Sequence, residues 1–239
     1  MRVTSLSFEN MHEHGELFIN FLRARKRAFI ERNNWDLPEA MGMEYDQYDT
    51  PASRWIAVHE GDKILAGVRL TPTTARCGIY SYMIRDAQLG LVDSIPSDLL
   101  DFEAPIDPQI WESSRVFVME SVPARLRTRV QAAMMQGLID TARDLHARVV
   151  FGLVPAVWSR WIGRLGLIAR PVGPVLNIDG WETQVALMHL QPADDDAVAD
   201  ARPPWLKSNW MAAGQVSPAP EPTAKKPEVA KADGPGAHV

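Results

Sequence analysis

The sequence predicts an α+β fold in which helices cover a mixed, mainly antiparallel sheet. Helical and strand periods alternate along the chain. A short glycine-containing connection joins two apolar segments early on, and a strand, helix, strand run follows later. Leu17, Phe18, Phe21, Leu22, Ala28 and Phe29 recur at helical spacing, so the spacing predicts an amphipathic helix over 13–32. Residues 33–53 read as a long charged loop. Trp55 to His59 and Lys63 to Thr71 flank Glu60-Gly61-Asp62, the pattern of an antiparallel hairpin. Arg115 to Glu120 reads as a strand, and the helix after it places Val130, Ala133, Met134, Gly137, Leu138, Thr141, Ala142 and Leu145 on one face. Val149 to Val154 is the next expected strand, Ala156 to Leu165 a helix, and Glu182 to Leu190 a closing strand.

At 239 residues and 46% hydrophobic content, the chain can bury one sizeable core. From Pro192 onward, eight of the eighteen prolines stand among Ala, Lys, Asp and Glu. Such a composition does not offset its ordering entropy. The expected organisation is one folded domain over 1–191 and a disordered tail over 192–239. A net charge of −5 argues against whole-protein attraction to nucleic acid or anionic lipid. Cys77, the single cysteine, excludes an intrachain disulfide and a thiolate zinc cage, so no metal centre is expected. No apolar run approaches a membrane span or a signal sequence, and a cytoplasmic location is the expectation.

Chemistry-bearing residues crowd three places. Arg25 and Phe29, four apart, stack on one side of the first helix, with Trp35 just beyond its end. Glu44, Asp46 and Asp49 lie in the loop run GMEYDQYD, and Trp111-Glu112-Ser113-Ser114-Arg115 stands at the mouth of a strand. Arg69 interrupts an apolar strand, and a buried charge there requires a partner. A strict period of two separates Glu112 and Arg115 onto opposite faces, whereas a bulge, or a strand starting near Ser114, brings them together.

These residues, in order and spacing, resemble the LuxI-type autoinducer synthases, the acyl-homoserine-lactone synthases. The matching elements are Arg25, Phe29 and Trp35; Glu44-Tyr45-Asp46-Gln47-Tyr48-Asp49; Gly67-Val68-Arg69; and Trp111-Glu112-Ser113-Ser114-Arg115. Arg164-Leu165-Gly166-Leu167 and Val172-Gly173-Pro174 extend the likeness over nearly all of 1–190. The resemblance implies an N-acyltransferase-like (GNAT-like) three-layer α/β/α sandwich. It also implies a reaction in which S-adenosylmethionine, a substrate with no further cofactor, takes an acyl chain from acyl carrier protein or acyl-CoA. Ring closure then releases an N-acyl-homoserine lactone, a quorum-sensing signal, and methylthioadenosine.

Under that resemblance Glu112 is the general base and Arg115 its catalytic neighbour. Arg25 and Arg69 orient the substrate carboxylate or pin the acidic loop, and Phe29 and Trp35 close over the sulfonium cation. Glu44, Asp46 and Asp49 bind the positive end of the substrate or lock the loop through the arginines. The acyl chain threads past Ser114, Val150, Gly152, Val154 and Trp158. Gly152 stands where members favouring 3-oxo chains often carry threonine, implying a product without that group and room for a longer chain. From Arg115 to Arg170 the chain carries nine arginines and three acids, a surface suited to an acidic carrier protein. Pro123-Ala124-Arg125-Leu126-Arg127 replaces the Gly-rich pyrophosphate loop of acetyl-CoA N-acyltransferases. Two other readings remain at this stage: an acyl-CoA-dependent N-acyltransferase acting on another amine, and a non-catalytic ligand sensor.

Overall fold

The computed structural model describes residues 1–158, 162 and 169–190. Strand β1 (Arg2–Leu6) leads through a 3₁₀ turn at Met11–His14 into helix α1 (Leu17–Arg25), whose end continues as a π-helical segment, Lys26–Arg32. The expected single helix over 13–32 is thus shorter at its start and wider in its second half. Widened winding carries the chain from Phe29 to Trp35, whose N–H donates to the Phe29 carbonyl at 3.0 Å. The expected loop contains a two-rung hairpin of β2 (Glu39–Ala40) and β3 (Met43–Glu44). Strands β4 (Arg54–Glu60) and β5 (Lys63–Pro72) form the expected antiparallel hairpin. Gly61 turns it with φ +56°, a conformation that two-residue hairpin loops favour.

Helix α2 (Met83–Gln88) precedes β6 (Ile110–Val118), followed by α3 (Ala124–Asp144), β7 (Val149–Pro155), β8 (Ala169–Pro171), β9 (Leu176–Ile178) and β10 (Trp181–His189). The main sheet runs β1-β4-β5-β6-β7-β10-β8, with β9 also on β10. Every pairing is antiparallel except β6 with β7. The expected helix over 156–165 falls largely outside the described residues, as does the expected tail.

Register assigns the layers. Trp55 pairs Arg69, Gly67 pairs Phe117, and Arg69 pairs Ser114, so these side chains share one face. Helix α1 lies there, with Phe18 edge-on to Trp55 at 4.7 Å and Phe21 edge-on to Phe117 at 5.5 Å. The opposite face takes α3, which buries Val130, Met134, Leu138 and Ala142 at helical spacing. On the α1 side, farther along the sheet, a second core forms around Tyr82, Ile84, Leu99, Phe151, Val185 and Leu187. The result is the expected three-layer N-acyltransferase-like α/β/α sandwich.

Beyond Glu112, β6 pairs only with β5, and beyond Phe151, β7 pairs only with β10. The two parallel strands therefore part after three rungs. Gly152 sets how closely they approach before parting, because a Cβ there would meet the Ser113 carbonyl oxygen at 2.6 Å and the Ser113 hydroxyl closer still.

Candidate active site

Three arginines and three carboxylates from four segments meet on the α1 side of the sheet. Arg25, from the last turn of α1, donates from Nε to Glu44 Oε2 at 2.5 Å and from Nη1 to Asp49 Oδ1 at 2.7 Å. Arg69, from β5, grips both oxygens of Asp46 at 2.5 and 3.2 Å and reaches Asp49 Oδ1 at 3.0 Å. Arg115, from β6, completes the ring through Glu44 Oε1 at 3.1 Å and Asp46 Oδ2 at 2.8 Å. Trp55 Nε1 adds a 2.8 Å donation to Asp49 Oδ1. The six formal charges cancel.

Burial gives this cluster its strength. Arg25, Arg69 and Glu44 are fully buried. Burial opposes ionisation of Asp46 and Asp49, but Arg69, with Arg115 at Asp46 and Arg25 at Asp49, holds both carboxyls below the usual range. Burial likewise works against the Arg69 cation, and Asp46 and Asp49 more than restore it.

A β-bulge makes the convergence possible. Gly67 pairs Phe117 and Arg69 pairs Ser114, so Arg115 and Val116 together oppose Val68, and Arg115 adopts φ +54°. This bulge puts Arg115 on the side that Glu112 and Ser114 already face, removing the conflict of strand parity.

Glu112 is fully buried and accepts from the Met83 and Ile84 backbone N–H groups at 3.1 and 2.7 Å, at the start of α2. Burial pushes its pKa up to about 7, against the opposing pull of the Ile84 N–H and Arg69. A carboxyl poised there exchanges protons at neutral pH.

Several expected roles change. Arg25 and Arg69 are fully buried, and their guanidinium groups turn onto Glu44, Asp46 and Asp49, an arrangement that locks the acidic loop. Glu44, Asp46 and Asp49 are their partners in that lock. The Phe29 ring is stacked on Trp35 at 5.2 Å and lies under Arg115 at 5.7 Å, so of the two aromatics only half-buried Trp35 keeps exposed area for a ligand. Ser114 is not an acyl-pocket residue, because it faces the cluster and accepts from Arg69 Nε at 3.1 Å.

The neighbouring Ser113 faces the α3 side instead. It lines an apolar cavity with Val150, Gly152, Val154 and Trp158, and with Met135, Leu138 and Met188, which the sequence did not single out for this place. The absent side chain at Gly152 makes no extra room, since Ser113 occupies that space. Trp55, read from the sequence only as the start of a strand, anchors Asp49 through its indole N–H. Among the described residues no group of His, Cys, Asp and Glu is suited to hold a metal ion, and no helix is long and apolar enough to cross a membrane.

The profile of the autoinducer synthase family matches residues 9–200. The chain belongs to this family. The acyl-homoserine-lactone synthase of Acinetobacter nosocomialis is 26% identical to it over 190 residues, 77% of this chain and 97% of the relative. The isovaleryl-homoserine lactone synthase of Bradyrhizobium diazoefficiens is 26% identical over 200 residues, 83% and 84% of the two chains. Among solved structures, the CoA-dependent acyl-homoserine lactone synthase BjaI, with SAM and isopentyl-CoA, superposes with a TM-score of 0.65 at 22% identity, covering 83% of this chain and 87% of that one. This likeness establishes the fold that autoinducer synthases share with the present family member.

Proposed function

We propose that this autoinducer synthase is an acyl-homoserine-lactone synthase, acylating the amine of S-adenosylmethionine from an acyl thioester and then closing the lactone. The observation that carries this reading is one buried carboxyl, Glu112, poised near neutrality between the locked acidic loop and the edge where β6 and β7 part. The relatives' names point to the same chemistry, and BjaI, described with SAM and isopentyl-CoA, pairs the two substrate types.

The amine must lose a proton to attack the thioester carbonyl. Glu112 takes it through a water, an assistance worth about 10²- to 10⁴-fold. The acyl chain lies in the cavity between β7 and α3, and the thioester lies in the gap where β6 has no β7 partner. Strand amides after Arg115 stabilise the oxyanion there. Arg115 acts through the loop it pins, as a positioning residue. Among the described residues no histidine hydrogen-bonds to Ser113 or Ser114, and direct transfer is the proposed route. The substrate carboxylate then attacks its own γ-carbon and expels methylthioadenosine, a step that needs mainly orientation.

An acyl carrier protein is the proposed donor partner. Arg143 is committed to the Leu190 carbonyl and Arg115 to the cluster, but Arg125 and Arg129 are exposed on the first turns of α3 and offer an acidic partner a cationic edge. Incubating purified protein with S-adenosylmethionine and matched panels of carrier-protein and CoA thioesters, with mass spectrometry of the products, tests both donor and reaction. A new lactone supports the reading; acylation of some other amine, or no turnover with any thioester, refutes it.

A further inference from the structure

Asp86, in α2, is a fully buried carboxyl to which the proposed reaction assigns no part. Both its oxygens accept from one residue, Ser81: Oδ2 from the backbone N–H at 2.9 Å and Oδ1 from the hydroxyl at 2.6 Å. Its own N–H donates to the Tyr82 carbonyl at 3.0 Å, so the chain over 81–86 is tied across its width by side chain and backbone together. Tyr82, also fully buried, pins the same turn to the loop before β6, its hydroxyl donating to the Pro105 carbonyl at 2.6 Å.

Two N–H groups inside this tie are the ones Glu112 receives. Met83 and Ile84 follow Tyr82 directly and donate to Glu112 Oε2 and Oε1 at 3.1 and 2.7 Å. The Glu112 backbone is fixed from the other direction, by pairing with Thr71 on β5 and Phe151 on β7. Around its carboxyl stand Arg69 and Asp46 of the ion cluster, Tyr48 of the acidic loop and Tyr82 of the turn. Burial and, to a smaller extent, Asp46 favour the protonated form, whereas the Ile84 N–H, Arg69 and the Met83 N–H favour the carboxylate. Arg69 is held by its own partners in the cluster, which leaves the two amides as the donors whose placement the 81–86 tie controls.

We propose that Asp86 is a positioning residue for acyl transfer, acting through Ser81 to hold the Met83 and Ile84 amides against Glu112. This rests on the reaction proposed above, with Glu112 as its base. Asp86→Ala removes the tie. Asp86→Asn keeps it, because the amide oxygen accepts the Ser81 N–H and the amide nitrogen donates to the Ser81 hydroxyl oxygen. Neither variant carries a charge at this position, so a difference between them reads the tie alone. Titration of Glu112 is followed by its carboxyl ¹³C shift in glutamate-labelled protein, assigned by its loss in Glu112→Gln, and kcat/KM is measured against pH on the same proteins. The Glu112 midpoint in Asp86→Ala is expected about one pH unit above that in Asp86→Asn, the worth of one hydrogen bond to an ionised carboxyl. The rise of kcat/KM with pH should move with it, which a loss of packing alone would not cause. Ser81→Ala deletes the hydroxyl and keeps the N–H, so it should raise the wild-type midpoint by less, and it takes the place of Asp86→Ala if that variant does not fold. A midpoint shared by the Asp86→Ala and Asp86→Asn proteins overturns this inference alone, as does an unmoved midpoint in Ser81→Ala where Asp86→Ala does not fold. A wild type that forms no lactone, or whose kcat/KM does not follow the Glu112 titration, overturns the parent reading and this one with it.

Discussion

Arg69 and Asp46 face each other through two parallel hydrogen bonds, Nη1 to Oδ1 and Nη2 to Oδ2, with Arg69 fully buried and Asp46 nearly so. This pair joins β5 to a loop of twenty-odd residues that has little other regular structure. Removing one partner unbalances the buried cluster, because Arg69 keeps only Asp49 and Asp46 keeps Arg115 as its close partner, and three charges of one sign then face two of the other. Asp46→Asn and Arg69→Met are therefore expected to cost about 3–5 kcal/mol each, read from urea unfolding. The double variant should lose markedly less than the sum, and strict additivity would show that the pair is not coupled.

Stability should depend on pH in two opposite ways. Asp46 and Asp49 have lowered folded-state pKa values, so their contribution is present above the unfolded value near 3.8 and is lost as pH falls below it. Glu112 is raised from 4.5 to about 7, so the folded state holds its proton more tightly and stability falls as pH rises between those values. Urea midpoints measured across pH 3 to 8 should show both limbs in wild type, and Glu112→Gln should abolish the upper one.

Activity should carry the same signature. If Glu112 is the base, kcat/KM rises with pH through about 7 and levels above it. Glu112→Gln should lower kcat by about 10²- to 10⁴-fold. A variant that keeps wild-type turnover while remaining folded would return the sensor reading to favour.

The close approach of β6 and β7 should be sensitive to a single methyl group. Gly152→Ala forces a Cβ against the Ser113 carbonyl, and an overpacked site of this kind costs about 1–3 kcal/mol. Reduced turnover is expected to accompany the fall in urea midpoint. A variant of wild-type stability would show that the two strands move apart freely.

Much of this was legible in the sequence because it is local. The hairpin around Gly61, the α3 stripe and the closing strand follow from periods that neighbours in the chain set themselves. The polar residues, too, could be grouped by type and spacing: Arg69 in an apolar strand announced a buried partner. What the sequence concealed was depth and direction. Nothing in GMEYDQYD distinguishes a carboxylate that meets substrate from one sealed under an arginine, and the choice was made by α1 lying across the loop. The swap between Ser113 and Ser114 depends on where β6 begins and where it bulges, a register set by β5. Residues 73–109 give no strong period, so α2 and the second core appeared only with the fold, and with them the amides that hold Glu112.

The account's central claim is that acyl transfer and lactone closure both occur on S-adenosylmethionine, and one isotope experiment tests it most directly. Wild-type protein is supplied with S-adenosylmethionine carrying ¹³C in its methionine carboxyl, together with an acyl thioester, and the products are followed by mass spectrometry. The predicted result is labelled N-acyl-homoserine lactone formed one for one with methylthioadenosine. Consumption of the thioester without labelled lactone or methylthioadenosine would contradict it.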